Sequence, residues 1–265
     1  MGPLAILAVA LGTVDVVRGP LTGADRPTRR SRTMWSVGIG LGIVALLGGT
    51  AGFVDPWAVL PLLTGAACLV LWVFLTDRAA GPHDDADVSA RRAARWAIVA
   101  LLAPIGVTLA LPGGAETVGP GPLETWLTGI PLSLPMGGGP TQTLMVVGMV
   151  LIQLATANIV VRFTLAAVGA VKPAGHPQPS DRLRGGRLIG PMERIIILGL
   201  GLAGNLTAAS LVIAAKGLIR FPELQAHGAD ADRPGIDEVT EYFLVGSLVS
   251  WLVSLVALTL VVGSG

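Results

Sequence analysis

Long apolar runs, separated by short polar or glycine- and proline-rich segments, dominate the pattern of hydrophobic and polar positions along this chain. A bilayer core about 30 Å thick needs roughly 20 apolar residues in helical form, and the runs have about that length. The pattern therefore predicts an all-α, polytopic transmembrane helical bundle of about seven spans. The runs cover residues 3–17, 34–54, 57–76, 96–112, 143–163, 195–216 and 242–262.

Only the segment VDPW separates the second run from the third, and Asp55-Pro56 within it favours a tight turn. We expect these two helices to form an antiparallel hairpin. The first run, 3–17, is the shortest, and if it does not span, the bundle has six spans.

Basic segments alternate with segments that have no lysine or arginine or are acidic overall. The basic segments are 18–33, 77–95 and 164–194, and the others are 55–56, 113–142 and 217–241. Cytoplasmic loops of membrane proteins carry an excess of lysine and arginine. Seven spans with the N-terminus outside and the C-terminus inside explain this alternation, whereas six spans would place both ends inside.

Composition supports lipid as the solvent, because 52% of the residues are hydrophobic and only 13% are charged, against about 25% charged in soluble domains. We expect a multi-pass protein of a bacterial plasma membrane. The net charge of +1 and the absence of aromatic residues among the basic clusters argue against nucleic-acid binding. The single cysteine, Cys68, excludes an intrachain disulfide, and we expect no cofactor and no metal.

The chain divides into an N-terminal four-span region (1–112), an extracytoplasmic loop rich in glycine and proline (113–142) and a C-terminal three-span region (143–265). The centre of the loop, PLETWLTGIPLSL, is apolar enough to lie on the membrane surface or to dip into it.

Polar residues in and beside the last three runs are candidate functional residues, because burying them in a membrane is costly. Arg194, Asn205 and Lys216 are spaced by eleven residues, almost three helical turns, which predicts one stripe along a single helix. We call the predicted set the polar seam. Its members are Arg187, Glu193, Arg194, Asn205, Lys216, Arg220, Glu241, Asn158 and Arg162.

A seam of this kind, lined by cations, would suit an anionic partner such as a lipid headgroup phosphate or a small anion. In the alternative interpretation the lysines and arginines extend to the membrane interfaces. Asn158, Asn205 and the serines of the last run then only form hydrogen bonds between helices. Those serines, Ser247, Ser250 and Ser254, share one helical face.

Other charged patterns favour structural interpretations. Asp15 precedes Arg18 by three residues, which indicates a local ion pair rather than a proton relay. The acidic segments HDDAD (83–87) and DADRPGIDE (230–238) have the composition of solvated linkers.

The glycine patterns indicate close helix packing. The segment GLGLAG (199–204) has the letters of a dinucleotide-binding fingerprint but lies inside an apolar run, where a strand-to-helix turn is not expected. Gly38 and Gly42, like Gly48 and Gly52, are spaced as in the flat faces of packed membrane helices.

The C-terminal third, from GGRLIGPMERIIILGLGLAGNLTAASLVIAAKGLIRF to EYFLVGSLVSWL, resembles an uncharacterised bacterial integral membrane family, domain of unknown function 3307. The family pattern has G-R-x-I-G-x-x-E-R, then a mid-helix G-Q, an A-A-K-S and an R-F, and then a final helix that begins with an E-Y/F-x-x-I-G-like element. Asn205 stands where the family has Gln, and Gly217 where it has Ser. The resemblance implies a recurring helical unit with no established activity. The matching residues are Gly186, Arg187, Ile189, Gly190, Glu193, Arg194, Gly204, Ala214, Ala215, Lys216, Arg220, Phe221, Glu241 and Gly246.

Three functions remain open. The first is a non-enzymatic scaffold, accessory protein or partner subunit of a membrane assembly, which the absence of a catalytic motif favours. The second is a small transporter or channel for an anionic or amphiphilic solute. The third is a membrane-embedded enzyme on a lipid phosphate, with Glu193 or Glu241 as acid and base. The expected partners are the lipid bilayer, a membrane protein or a second copy of the chain, and an anionic lipid or solute.

Overall fold

A computed structural model describes residues 1–19, 26–80, 88–111, 113–129, 138–170, 186–225 and 236–265. Every regular element in these ranges is helical, which confirms the all-α fold class. The helices are α1 (Gly2–Arg18), α2 (Arg26–Thr50), α3 (Val59–Ala79), α4 (Val88–Ala110), α5 (Pro122–Thr128), α6 (Pro140–Leu154), α7 (Thr156–Ala167), α8 (Gly186–Leu202), α9 (Leu206–Gln225) and α10 (Ile236–Val262).

Helix α1 is the centre of the bundle, although its run is the shortest in the sequence. It packs against α2, α3, α4, α6 and α7, and Ile6, Ala10 and Val14 are fully buried. The approach to α6 is close, because a Cβ atom at Gly12 would lie only 2.5 Å from the Cβ of Leu151. Small residues that let two backbones touch are the usual means of helix association in membranes.

The hairpin predicted for the second and third runs is confirmed. Gly48 faces Leu62, and Gly40 faces Leu69, so α2 and α3 run antiparallel. The turn between them is stabilised by Asp55, whose carboxylate accepts a hydrogen bond of 2.9 Å from the backbone N–H of Trp57.

The run 195–216 is not the single helix that we predicted. Lys216 Nζ lies 2.5 Å from Glu193 Oε2, whereas a continuous helix would separate these residues by about 34 Å. The chain reverses between α8 and α9, where Gly204 has a φ of 73°. Asn205 follows, and its side chain accepts a hydrogen bond of 3.2 Å from the N–H of Ala208, so that it caps the start of α9.

The run 143–163 is also interrupted, because α6 and α7 meet at a bend of 47°. Helix α10 runs antiparallel to this bent pair. Near the start of α6, Gln142 donates to the carbonyl of Val261, and near its end, Gln153 donates to the carbonyl of Val253.

Residues 1 and 265 lie at the same end of the bundle. The amine of Met1 donates to the carbonyls of Gly114 and Glu116 at 2.6 and 2.7 Å, and Gly265 lies against Gln142 at the start of α6. Seven spans would place the two ends on opposite sides, so the structure does not confirm the seven-span count. The additional reversal between α8 and α9 accounts for the difference.

Four helices, or five if α6 and α7 count as one bent span, are long and apolar enough to cross a membrane within the described ranges. Large apolar side chains are exposed along them, such as Leu46 and Leu109. Exposed tryptophans lie near both ends of the bundle, as in the aromatic belts of membrane proteins. They are Trp57 and Trp126 at the end that holds residue 1, and Trp35 and Trp96 towards the other. These features are consistent with a transmembrane protein.

Part of the loop 113–142 packs on the bundle through α5. Leu123 and Leu127 of α5 are buried, whereas Trp126 is 63% exposed. Residues 130–134, the rest of the apolar centre, lie outside the described residues.

The glycine faces that we predicted are only partly used inside this chain. Gly201 contacts the side chain of Leu258 on α10, but a Cβ atom at Gly38 or Gly42 would meet nothing within 4 Å. Gly52 serves a turn, with a φ of 62°.

Candidate functional site

The break between α6 and α7 is the point at which the buried polar side chains of the bundle meet. Ala155 separates the two helices, and the N–H of Asn158 turns back to its carbonyl at 3.0 Å. Side chains bind the carbonyls at this bend. Leu154 accepts 3.1 Å from the side-chain amide of Asn158, and Gln153 accepts from Arg194. An interruption of the helical ladder of this kind bends a helix.

Arg194 of α8 is the donor that holds the break. Arg194 as a whole is only 2% exposed. It donates twice to the carbonyl of Gln153, at 3.2 and 2.8 Å, once to Asn158 Oδ1 at 2.6 Å and once to Ser250 Oγ at 3.0 Å. Because Ser250 lies near the middle of α10, this cluster is at mid-height in the bundle. One arginine thus joins α8, α10 and both parts of the bent span, and we call this the Arg194 cluster.

The charge of Arg194 is not balanced by a carboxylate in ion-pair contact, as far as the described residues show. Its neighbour Glu193 binds Lys216 instead, and both of those side chains are about 15% exposed. Lys216 also lies 5.9 Å from the ring centre of Phe243 on α10. Neutral oxygens therefore stabilise the guanidinium, an arrangement that suits an arginine because its fixed fork can donate to several acceptors at once.

A second buried cluster lies on the other side of the break, around Asp15 of α1. Asp15 Oδ1 lies 3.3 Å from Arg18 Nη1, which confirms the predicted local ion pair. The carboxylate also accepts hydrogen bonds of 3.0 Å from the indole N–H of Trp72 and of 2.7 Å from the hydroxyl of Thr156. Arg18 in turn donates to the hydroxyl of Thr76 at 2.9 Å.

The sequence reasoning missed this Asp15 cluster, apart from the ion pair itself. The residues are all nearly or fully buried: Asp15 is 1% exposed, and Trp72 and Thr76 are fully buried. A signal existed, because Trp72 and Thr76 stand one helical turn apart on the third run. It did not show which face of the first run would meet them.

The two clusters are adjacent through the chain itself. Thr156, the first residue of α7, binds Asp15, whereas the carbonyl of Gln153, the next-to-last residue of α6, binds Arg194. Hydrogen bonds therefore connect the break to α1, and through Asp15 to α3, on one side. On the other side they connect it to α8 and, through Arg194, to α10. One buried acceptor is left over, since Gln153 Oε1 has no hydrogen-bond partner in the described structure.

The structure brings the predicted seam residues together only in pairs. Asn158 meets Arg194, and Glu193 meets Lys216. The single stripe is wrong for Asn205, because the helix breaks there and Asn205 is exposed. Arg162 and Glu241 are exposed as well.

Several other predictions fall outside the described structure. They concern the side chains of Arg187 and Arg220, the segment HDDAD, and the side chains of residues 230–238. The serine face is confirmed, since Ser247, Ser250 and Ser254 are all buried. Within the described ranges, no group of three or more His, Cys, Asp or Glu residues is placed to hold a metal ion.

Comparison with known proteins found no matching family model, no matching curated protein and no matching solved structure. The resemblance of the C-terminal third to domain of unknown function 3307 therefore stays a prediction.

Proposed function

We propose that this chain is a multi-pass plasma-membrane protein without a reaction of its own, which serves as a scaffold or accessory subunit of a membrane assembly. The observation that carries the proposal is the Arg194 cluster. Its guanidinium is bound to three oxygen acceptors of the chain itself, so that an anion would have to displace internal hydrogen bonds. Such a residue supports a fixed arrangement of helices.

The distribution of basic residues supports an orientation in which both described ends are outside. Lysine and arginine are absent from four long segments, each of which passes through the end of the bundle that holds residues 1 and 265. These segments are 36–77, 96–161, 195–215 and 234–265. Because basic residues concentrate on the cytoplasmic side, the opposite end of the bundle faces the cytoplasm. This proposal replaces the N-out/C-in orientation.

Cysteine labelling in intact cells tests this orientation. With Cys68 replaced by serine, Val54→Cys, at a residue 84% exposed at the end that holds residues 1 and 265, should react with a membrane-impermeant maleimide in intact cells. Arg92→Cys, at an exposed residue of the opposite end, should react only after permeabilisation. Labelling of Arg92→Cys alone in intact cells would reverse the orientation, and labelling of neither would contradict the placement of residue 54 outside.

Helix α2 offers the surface for a protein partner or a second copy of the chain. It lies at the edge of the bundle, with Trp35 73% exposed and with Gly38 and Gly42 facing open space. The flat glycine face that the sequence predicts for a neighbouring helix thus has no neighbour among the described residues of this chain.

Extraction in mild detergent followed by mass measurement tests the assembly. We expect a complex heavier than the 27.0 kDa chain, and we expect the double variant Gly38→Leu, Gly42→Leu to release it. Gly106→Leu is the matched control, because Gly106 also faces open space but lies on α4. A monomeric wild-type protein, or a complex that survives the double variant, would contradict the proposed surface.

A second candidate, transport of an anionic or amphiphilic solute, is favoured by the broken span. Discontinuous helices at mid-height, with backbone groups that are free to bind a solute, are typical of secondary transporters. Anion flux in proteoliposomes that Arg194→Lys abolishes while the protein stays folded would support transport against the scaffold. No contact in the described structure favours the third expectation, an enzyme on a lipid phosphate, which stays a prediction.

A further inference from the structure

An apolar chamber of about 260 Å³ lies inside the bundle, enclosed by α1, α3, α4, α6, α7 and α10. An engineered apolar cavity of about 150 Å³ is enough to bind benzene, so this chamber can hold a larger apolar group. Its wall is almost entirely aliphatic, with Leu7, Leu69 and Met149 among the lining residues.

The chamber is elongated in the direction of the helices. Along α10 its wall extends from Val249 to Leu260, and eleven residues of helix span about 16 Å. Along α1 it extends from Leu4 to Leu11. This shape suits a linear chain better than a compact solute.

The chamber opens sideways, between α4 and α10. Three of its lining residues are also exposed on the surface of the bundle: Leu102 of α4 at 55%, and Leu252 and Val256 of α10 at 50% and 47%. All three lie in the middle part of their helices, so that in a membrane the opening faces the hydrocarbon layer. The groups available at that depth are the aliphatic chains of lipids.

The two wall side chains that carry an N–H or O–H donor are already engaged elsewhere. Trp72 and Thr156 line the chamber, but both donate their hydrogen bonds to Asp15, at 3.0 and 2.7 Å. A headgroup would find no free donor from these two residues, and a hydrocarbon tail needs none. The Asp15 cluster therefore closes the chamber with a surface that is suited to a chain end.

We propose that this chamber binds one aliphatic chain of a membrane phospholipid, which enters between α4 and α10 and lies parallel to α10. The inference rests on the membrane placement proposed above. It adds a lipid site that neither the scaffold nor the seam requires, and it makes the bound chain part of the packing around the broken span.

Quenching of tryptophan fluorescence by lipids brominated on their chains tests the proposal. Trp72 is fully buried, so a bromine reaches it by occupying the chamber. In a variant with the other five tryptophans changed to Phe, we expect fluorescence of Trp72 to fall in vesicles of brominated phosphatidylcholine, relative to unbrominated vesicles. A second variant that keeps only Trp96, which is 56% exposed, reports contact with bulk lipid.

Narrowing the opening supplies the control. Leu102→Phe with Val256→Phe should remove the quenching of Trp72 and leave that of Trp96. Leu46→Phe with Leu211→Phe adds the same bulk at residues that are exposed but do not line the chamber, and it should change neither signal. Quenching of Trp96 without quenching of Trp72 would overturn the lipid site alone. Equal quenching of Trp72 with the narrowed opening would do the same, and quenching of neither would overturn the membrane placement and the site with it.

Discussion

Replacing Arg194 with Met tests whether the Arg194 cluster holds the bundle together. The substitution replaces the arginine with an unbranched apolar side chain, similar to the arginine stem, and removes the hydrogen-bond donors. Three oxygen acceptors, buried on Gln153 and Ser250 and partly buried on Asn158, then lose their hydrogen bonds to Arg194.

The size of the effect follows from these contacts. Four hydrogen bonds are lost, and bonds between membrane helices average about 0.6 kcal/mol, with a maximum near 1.7. A buried acceptor left without a partner costs about 1–3 kcal/mol, and relief from burying the charge offsets part of that. We therefore expect the free energy of unfolding to fall by about 2–4 kcal/mol, and the melting temperature by about 5–15 °C for a chain of this size.

The assay is thermal unfolding in detergent, followed by circular dichroism, with two further variants. Arg194→Lys keeps the charge but not the fork of donors, and it should fall between the wild type and Arg194→Met. Arg162→Met removes an exposed arginine from α7 and should change the free energy of unfolding by less than about 0.5 kcal/mol. If Arg194→Met and Arg162→Met melt at the same temperature, the cluster does not hold the helices together and the reasoning fails.

Three further predictions concern the other contacts of the bundle. Asp15→Asn removes the buried charge beside Arg18 and should lower the free energy of unfolding by about 3–5 kcal/mol; an unchanged melting temperature would contradict it. Gly12→Ala brings a methyl group against Leu151 and should destabilise by about 1–3 kcal/mol, whereas Gly199→Ala, which meets nothing within 4 Å, should be neutral or stabilise by up to about 1 kcal/mol. A double-mutant cycle on Glu193→Gln and Lys216→Met should show a coupling of about 0.5–3 kcal/mol, and zero coupling would contradict a stabilising contact between these two side chains.

The seven-span count is not confirmed, because the apolar character of one run hid a turn. The run 195–216 is mostly apolar, yet Gly204-Asn205 carries both the glycine that ends helices in the left-handed region and the asparagine that starts them. Because the turn lies among apolar residues, the length of the run favoured one membrane-spanning helix over two shorter helices. The reversal adds one helix to the bundle and places residue 265 at the same end as residue 1.

The central place of α1 could not be predicted from the sequence for a different reason. In water, apolar residues mark the core, but lipid chains are as apolar as leucine, so hydropathy does not separate the faces that contact protein from those that contact lipid. Ile6, which is fully buried, and Leu46, which is 65% exposed, are equally ordinary members of their runs. What separates the two helices is packing. Helix α1 packs through Gly12 against Leu151 of α6, and a contact between residues so far apart in the chain does not show in hydropathy.

The same reasoning explains why the buried polar residues carry so much of the specificity. Apolar contacts alone would allow the helices of such a bundle to slide or exchange with lipid at little cost. A backbone carbonyl that loses its helical partner at a break prevents such sliding. It needs a hydrogen-bond donor at one depth in the bundle and on one face of the helix. Arg194 meets this requirement at the carbonyl of Gln153. Thr156, on the other side of Ala155, binds Asp15, and the two contacts together fix the bend in the middle of the bundle. In the membrane placement that we propose, a rigid bend beside the chamber provides a fixed surface on which a lipid chain or a partner helix can pack.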